Sequence, residues 1–521
     1  MARYFIVPKV LVMLCLTSIV VTQAQSQPWS ALQAPKELIQ NLSRDPLTLS
    51  LASTDFGHII HVNPVAVFEP SSISDISNLI KFSNCLPIPF TIAARGQGHS
   101  VHGQAMAHDG VVVNMTELNG FRNGTGIIVS DEKTPLFGYY ADVGGEQIWI
   151  DVLNATLQRG LTPLSWTDYL FLSVGGTLSN AGISGQGFRF GPQISNVHEL
   201  DVVTGKGDLV TCSAEKNSEL FYAVLGGLGQ FGIITRARIA LGPAPTRVKW
   251  LRLLYNDFSA FSGDQEHLIS FNGRNETNAA DYVEGELLLN QPPLDLSFYP
   301  PLDQPRITSL VTQNSIIYIL ELVKYYDNNS QEHVDEEVEL LVKGLKFVPT
   351  FMFEKDVSYE EFLNRVHAQE LVLRSQGLWD VPHPWLNLFV PGSRISDFDE
   401  GVFKGIILEQ NITAGLVIIY PTNRTKWDDK MSAVTPDEDV FYIVSLLHST
   451  GFDKVEAFQA QNQQILQFCA DADIGIKEYL PQNKTHEEWV EQFGPKWEVF
   501  KERKGHFDPK RILSPGQGIF N

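Results

Sequence analysis

The chain has 521 residues, with 39 Lys and Arg against 60 Asp and Glu and a formal net charge of −21. Hydrophobic residues make up 43% and charged residues only 19%, which excludes a disordered polyelectrolyte and leaves ample chain for a packed core. The acidic balance argues against nucleic acid or an anionic membrane surface as the main partner.

Arg3 and Lys9 precede an apolar run from Val10 to Val21, followed by the small residues of Thr22-Gln-Ala24. The run is shorter than the ~20 residues that span a bilayer. It reads as a secretory signal peptide over residues 1–24. The rest of the chain keeps three cysteines, Cys85, Cys212 and Cys469, an odd and sparse set that is no disulfide framework. With no C-x-x-C pair, zinc or iron–sulfur ligation is not expected, and no metal is assigned. N-x-S/T sequons at Asn41, Asn114, Asn123, Asn154, Asn275, Asn328, Asn411, Asn423 and Asn483 point to a glycoprotein surface.

Residues 30–65 read as an amphipathic helical lead-in and an extended segment. Ala66–Phe68 is a short strand. Ser72-x-x-Asp75 is a capping box opening a helix with Ile73, Ile76, Leu79 and Ile80 on one face. Phe90–Arg95 is a second strand that runs into the turn Gly96-Gln-Gly-His-Ser-Val-His-Gly103. Val111–Asn114 and Tyr140–Val143 are further strands, and a helix is expected from Gln147 to Arg159. Residues 160–240 are glycine-rich, with almost no long helix. Pro243-Ala-Pro245 is a plausible hinge. Beyond it come longer strands, Lys249–Tyr255 and Ile316–Leu322, and charged helices, Glu332 to Lys343 and Tyr359 to Gln376. The C-terminal Phe507–Gln517 returns to the turn-rich style of the first half. Alternating strands and helices imply an α+β or α/β architecture.

Three segments carry chemistry. In Gly96-Gln-Gly-His-Ser100 the glycines let backbone N–H groups approach a ligand and form an anion nest suited to a pyrophosphate. A histidine inside such a nest can carry a covalent cofactor bond, although a tight turn with a solvated histidine fits the same residues. His102 competes for the role, and a metal site from His99, His102 and His108 lacks a supporting carboxylate cluster. In Ser165-Trp-Thr-Asp-Tyr-Leu170, Asp168 stands between Trp166 and Tyr169. Aromatic walls strip hydration from a carboxylate and raise its pKa, which makes a usable base; an Asp capping a turn reads equally well. In Asp281-Tyr-Val-Glu-Gly-Glu286, strand alternation puts Tyr282, Glu284 and Glu286 on one face, where they also suit a solvated sheet face. His383–Phe389 is a rigid aromatic segment that fits either a pocket wall or the core.

Gly227-Leu-Gly-Gln-Phe-Gly232 matches G-x-G-x-x-G, but a β-branched, strand-like run follows it instead of a helix. That excludes a Rossmann phosphate turn and disfavours a nicotinamide dehydrogenase. There is no P-loop, no H-E-x-x-H and no nucleophile elbow.

Together these motifs resemble the plant cytokinin dehydrogenases (cytokinin oxidases). The resemblance rests on Ala93-Ala-Arg-Gly-Gln-Gly-His-Ser100, Trp166–Leu170, Val174 to Gly185, Leu225 to Arg238, Tyr282–Gly285, His383 to Pro391 and Leu513–Gln517. It covers about Ser53 to Phe520, and the joint order of the motifs is highly specific. It implies a two-domain α+β fold of the vanillyl-alcohol-oxidase (PCMH) type. An FAD-binding domain would span 35–243 and 480–521, around a substrate-binding α/β cap over 244–479.

The resemblance further implies FAD attached to His99 by a single 8α-histidyl bond. No cysteine lies between Thr167 and Gly187 to make the second, cysteinyl bond of berberine-bridge-type relatives. Ala94, Gly96, Gln97, Gly98, Ser100 and Gln104 would line the flavin, with Asp168, Ser173, Ser179, Ile183 and Ile233 as further contacts. Tyr479, Ser514 and Gln517 would close the site. Asp168 would be the catalytic base and Glu284 would hold the adenine of the substrate. The implied reaction oxidises an N6-isoprenoid adenine: Asp168 takes the amine proton, hydride moves to flavin N5, and the imine hydrolyses to adenine and an unsaturated aldehyde. Electrons would pass to a quinone-type acceptor or to oxygen. A monomer in the apoplast or vacuole is expected, with no nucleic acid or membrane partner. The rivals are a related FAD-linked oxidase of sugars or phenolic alcohols and a non-catalytic binding protein.

Overall fold

The computed structural model describes residues 35–270, 279–291, 294–327, 330–412, 415–482 and 484–520. The signal peptide expected over residues 1–24 and the sequons at Asn275, Asn328 and Asn483 lie outside the described residues.

Among the described residues the strands form three sheets. The first is small and ordered β1-β2-β4-β3: β1 (Leu42–Ser43), β2 (Ala66–Phe68), β4 (Val111–Asn114) and β3 (Ile92–Arg95). β2 and β3 both run parallel to β4. The helix Ile73–Cys85 provides the crossover after β2. Ser72 caps it by accepting from the Asp75 N–H, and Ile76, Leu79 and Ile80 are buried under the sheet. The Asp75 carboxylate reaches the Ser71 N–H, one residue beyond the N-cap, so the expected box closes one position early.

The second sheet runs β5 (Ile127–Val129), β6 (Tyr139–Gly144), β10 (Gly232–Pro243), β8 (Val197–Thr204) and β9 (Leu209–Ser213), with β7 (Leu161–Pro163) also on β10. The helix expected from Gln147 to Arg159 spans Trp149–Leu157.

The third sheet has eight antiparallel strands. Its order is β14 (Met352–Ser358), β11 (Arg247–Tyr255), β13 (Ile316–Tyr326), β12 (Tyr282–Leu289), β16 (Gly415–Asn423), β17 (Val440–His448), β15 (Leu386–Pro391) and β18 (Lys477–Tyr479). Helices Phe258–Ile269 and Val455–Asp471 bury Phe261, Leu268 and Ile465 in the cluster on one side of it. The single helix expected from Tyr359 to Gln376 is broken at Asn364, which leaves helical dihedrals (ψ 13°), into Tyr359–Leu363 and Arg365–Ser375. That break places Arg365 at the start of the second helix, facing the first half of the chain.

The C-terminal helices His486–Phe493 and Trp497–Phe507 pack back on the second sheet. Trp489, Phe493, Trp497 and Phe500 join the same buried cluster as Trp149, Trp166 and Phe231. Ile512 to Ser514 then lie along β3: Ile92 N–H donates to Ile512 O, and Ser514 N–H to Ile92 O.

Candidate active site

A cavity of about 1960 Å³ lies between the glycine-rich turns of the first half and the eight-stranded sheet. A pocket for one drug-sized ligand occupies roughly 300–1,000 Å³, so this one has room for a cofactor and a substrate together.

The wall on the first-half side begins where β3 ends. The loop after Arg95 is held from outside by residues 55–57. Asp55 accepts from Ser100 Oγ (2.9 Å), Gly103 N–H (2.7 Å) and Gly57 N–H (3.1 Å). Phe56 N–H donates to Gly98 O and Gly57 N–H to Ser100 O. Gly98 is in the left-handed region (φ +66°), which lets the loop turn. The His99 ring is consequently fixed: it stacks on Phe56, and its Nε2 is buried with no hydrogen-bond partner. Burial lowers its pKa to about 4, so the ring is neutral at neutral pH. His102, the rival histidine, is buried outside the cavity lining.

Ala94, Gly96, Gln97, Gly98, Ser100 and Gln104 all line the cavity beside His99. So do Ser173, Ser179, Ile183 and Ile233 from the turns below, and Tyr479, Ser514 and Gln517 from the C-terminal part. A Cβ on Gly96 would come 2.1 Å from Ser173 Oγ, and one on Gly229 2.4 Å from Ser514 Oγ. The excluded dinucleotide motif therefore still borders the cavity, through Leu228, Gly229 and Gly232, in a helix-to-strand turn.

Asp168 also lines the cavity, but its neighbours are not the flanking aromatics. Trp166 turns into the core, edge-on to Trp149 and donating to Tyr359. Tyr169 donates to Glu370 Oε2 (2.6 Å) on the helix Arg365–Ser375. Asp168 Oδ1 instead accepts from Ser184 Oγ (2.8 Å) and Arg365 Nη2 (3.0 Å), with Tyr282 OH at 3.1 Å. Tyr282 OH lies 2.5 Å from Glu284 Oε2. Glu284 is buried, and its Oε1 has no partner. Burial, then the Asp168 charge, raise the Glu284 pKa well above the usual range. Opposite Glu284 on β13 stands Glu321, and Arg252 of β11 joins it to Glu286. Arg365 was not singled out in the sequence reading, nor was Ser184; only their placement in space marks them. The aromatic segment divides: His383, Trp385 and Asn387 line the cavity, while Leu386 and Leu388 enter the core.

The residues present fit FAD. His99 Nε2, Gln104 Nε2 and Gln517 Oε1 are buried polar atoms lacking protein partners at one end of the cavity. No Lys or Arg before residue 244 lines it among the described residues, so a pyrophosphate there would be held by N–H and hydroxyl donors, as in a backbone nest.

Residues 64–213 match a family model described as FAD binding domain, and residues 245–520 one described as cytokinin dehydrogenase 1, FAD and cytokinin binding. A VAO-type flavoprotein, MtVAO615 from Myceliophthora thermophila C1, shares the fold with a TM-score of 0.64, at 15% identity, over 88% of this chain and 80% of that one. The fold and site thus define an FAD-dependent oxidoreductase with a VAO-type fold. Cytokinin dehydrogenase 3 of Arabidopsis thaliana is 54% identical over 98% of this chain and 96% of its own length. Cytokinin dehydrogenase 4 of the same plant is 53% identical over 94% of each. The chain belongs to the cytokinin dehydrogenase family, and the sugar- or phenol-oxidase alternative falls away.

Proposed function

We propose that this enzyme cleaves the N6-isoprenoid side chain from adenine, with Asp168 as base, Glu284 as the group that holds the purine, and His99 as a covalent anchor for FAD. One observation carries the assignment: the unpartnered Glu284 Oε1 and the triply contacted Asp168 Oδ1 border the same cavity as His99. Bound FAD supplies the hydride acceptor. Asp168 takes the proton of the side-chain amine, while Ser184 and Arg365 hold its carboxylate in place. Glu284 meets a polar edge of the purine and so sets its plane. The oxidised side chain then hydrolyses to adenine and an unsaturated aldehyde. The neutral ring of His99 keeps a nitrogen lone pair for the bond to the cofactor.

Electrons leave to a quinone-type acceptor or, more slowly, to oxygen. The chain works as a monomer in the secretory pathway, delivered to the apoplast or vacuole. Exposed Asn123, Asn154 and Asn411 suit glycosylation. Asn114 and Asn423 are weaker sites, since their amides already donate to Glu117 and to Phe188 O.

The test has two parts. Acid-precipitated protein is examined for bound yellow colour beside a His99→Ala variant, and turnover of isopentenyladenine is measured against that of sugars. Colour that stays with the wild-type chain alone, with turnover of the adenine substrate, is expected. A colourless precipitate refutes the covalent anchor, and sugar turnover without adenine turnover refutes the substrate.

A further inference from the structure

The Tyr282 hydroxyl faces Glu284 Oε2 at 2.5 Å, Asp168 Oδ1 at 3.1 Å and Arg365 Nη2 at 2.6 Å. A phenol offers one proton and two lone pairs. Arg365 donates to one lone pair. Were both carboxylates ionised, two anionic oxygens would share a single O–H, and one would face the phenol oxygen with no proton between them. One further proton satisfies every contact. On Glu284, it lets Glu284 donate to Tyr282 and Tyr282 donate to Asp168. On Asp168, the chain runs in the opposite direction.

We propose that Asp168, Tyr282 and Glu284 hold one shared proton, and that Tyr282 is the positioning residue that passes it between the carboxyls. This rests on Asp168 acting as the base. The step balances without oxidant or reductant. The Glu284 O–H bond breaks as a bond to the Tyr282 oxygen forms, and the original Tyr282 O–H breaks as one to Asp168 forms.

The surroundings decide where the proton rests. Asp168 Oδ1 accepts from Ser184 and Arg365 as well. Arg365 stands 3.8 Å from Glu284 Oε2, and Glu284 Oε1 has no donor. Glu321 of β13 adds a negative charge on the Glu284 side, and Tyr420 of β16 is buried close to both acids. Negative charge is therefore best accommodated on Asp168, and the proton rests on Glu284. Burial and the charge of Asp168 push the Glu284 pKa up, in the same direction. Asp168 is thus kept ionised, ready for the amine, by a neighbour that keeps the proton.

The experiment compares flavin-loaded wild type, Tyr282→Phe and Glu284→Gln. Flavin bleaching is followed anaerobically across pH at saturating isopentenyladenine, and the infrared carboxylic-acid C=O band is recorded without substrate. In Tyr282→Phe, Asp168 loses a donor, and the acid limb of the bleaching rate moves up by about one pH unit. In Glu284→Gln the neutral amide stands in for the protonated carboxyl and still donates to Tyr282, so the limb stays close to its wild-type position. The infrared band is present in wild type at neutral pH, absent in Glu284→Gln and displaced in Tyr282→Phe. A common acid limb in all three, or a band that survives Glu284→Gln, overturns the proposal. If isopentenyladenine fails to bleach the wild type, the substrate reading fails, and the infrared band alone then decides the proton chain.

Discussion

The imidazole of His99 lies nearly parallel to the ring of Phe56, with centroids 3.9 Å apart and 19° between planes. His383 stacks on the other face of Phe56 at 4.0 Å. His383 is anchored in turn by Ser449 Oγ at Nδ1 and Trp379 O at Nε2, so the three-ring stack is tied to the second half of the chain. A ring fixed in plane and stripped of water keeps its proton off and its lone pair aimed. Those are the requirements for a nucleophile that must meet a single cofactor atom.

The stack depends on the closeness of residues 55–57 to the His99 loop. A Cβ on Gly57 would stand 1.9 Å from the Val101 carbonyl oxygen, a backbone atom that cannot swing aside. On the proposed His99 anchor, Gly57→Ala is therefore expected to displace the loop and to lower the fraction of chains that carry covalent flavin. Fluorescence of the denatured band, normalised to total protein, measures it. Full stoichiometry in the variant would show that the close approach does not position His99.

Asp168→Asn keeps the volume of the side chain and removes its basicity. The expected result is a fall in kcat/KM of about 10²–10⁴-fold, the usual contribution of a positioned general base. The visible spectrum should be unchanged, because the Gly96–Ser100 wall stands on other elements. A loss of less than tenfold would exclude Asp168 as the base.

The strands and their local caps were legible because each is written in adjacent residues. Ala66–Phe68 and Val111–Asn114 are runs of apolar residues that form strands with those same limits, and Ser72 caps its helix through its own hydroxyl. The His99 turn was legible for the same reason. The environment of Asp168 was not. Its flanking Trp166 and Tyr169 suggested an aromatic wall, yet both side chains point elsewhere, and its partners stand at positions 184, 282 and 365. Arg365 sits where a helix breaks at Asn364, and periodicity alone runs straight through that break. Glu284 could not be chosen over Glu286 from alternation, since both point to one face. The choice is made by Arg252, which neutralises Glu286 and leaves Glu284 Oε1 without a partner.

Lys504 and Asp508 tie the C-terminal return to the turn at Gln230. Their ion pair, at 2.9 Å, is buried. Lys504 also donates to Gln230 and Leu513, while Asp508 accepts from the Ile512 and Leu513 N–H groups. Lys504→Met leaves a buried carboxylate without its cation. The expected cost is about 3–5 kcal/mol in unfolding free energy, read from urea denaturation. A change within 1 kcal/mol, roughly the size of an exposed ion pair, would show that the pair is solvated.

His102 gives the pH dependence a clean probe. It is buried, its Nδ1 has no partner, and burial lowers its pKa from the ordinary 6.5 to about 4. Between those two values the unfolded chain binds a proton at this position and the folded chain does not. Stability from this residue is therefore complete above pH 6.5 and is lost as the pH falls towards about 4. His102→Gln keeps a neutral polar side chain and abolishes the titration. The wild type is expected to lose stability relative to the variant over that window, by on the order of 3 kcal/mol at its acid end. His99 and His383, each lowered to about 4, titrate in both proteins and cancel in the comparison. Parallel urea midpoints for wild type and His102→Gln from pH 7 to pH 4.5 would mean that His102 is protonated in the folded chain, with its ring reached by water.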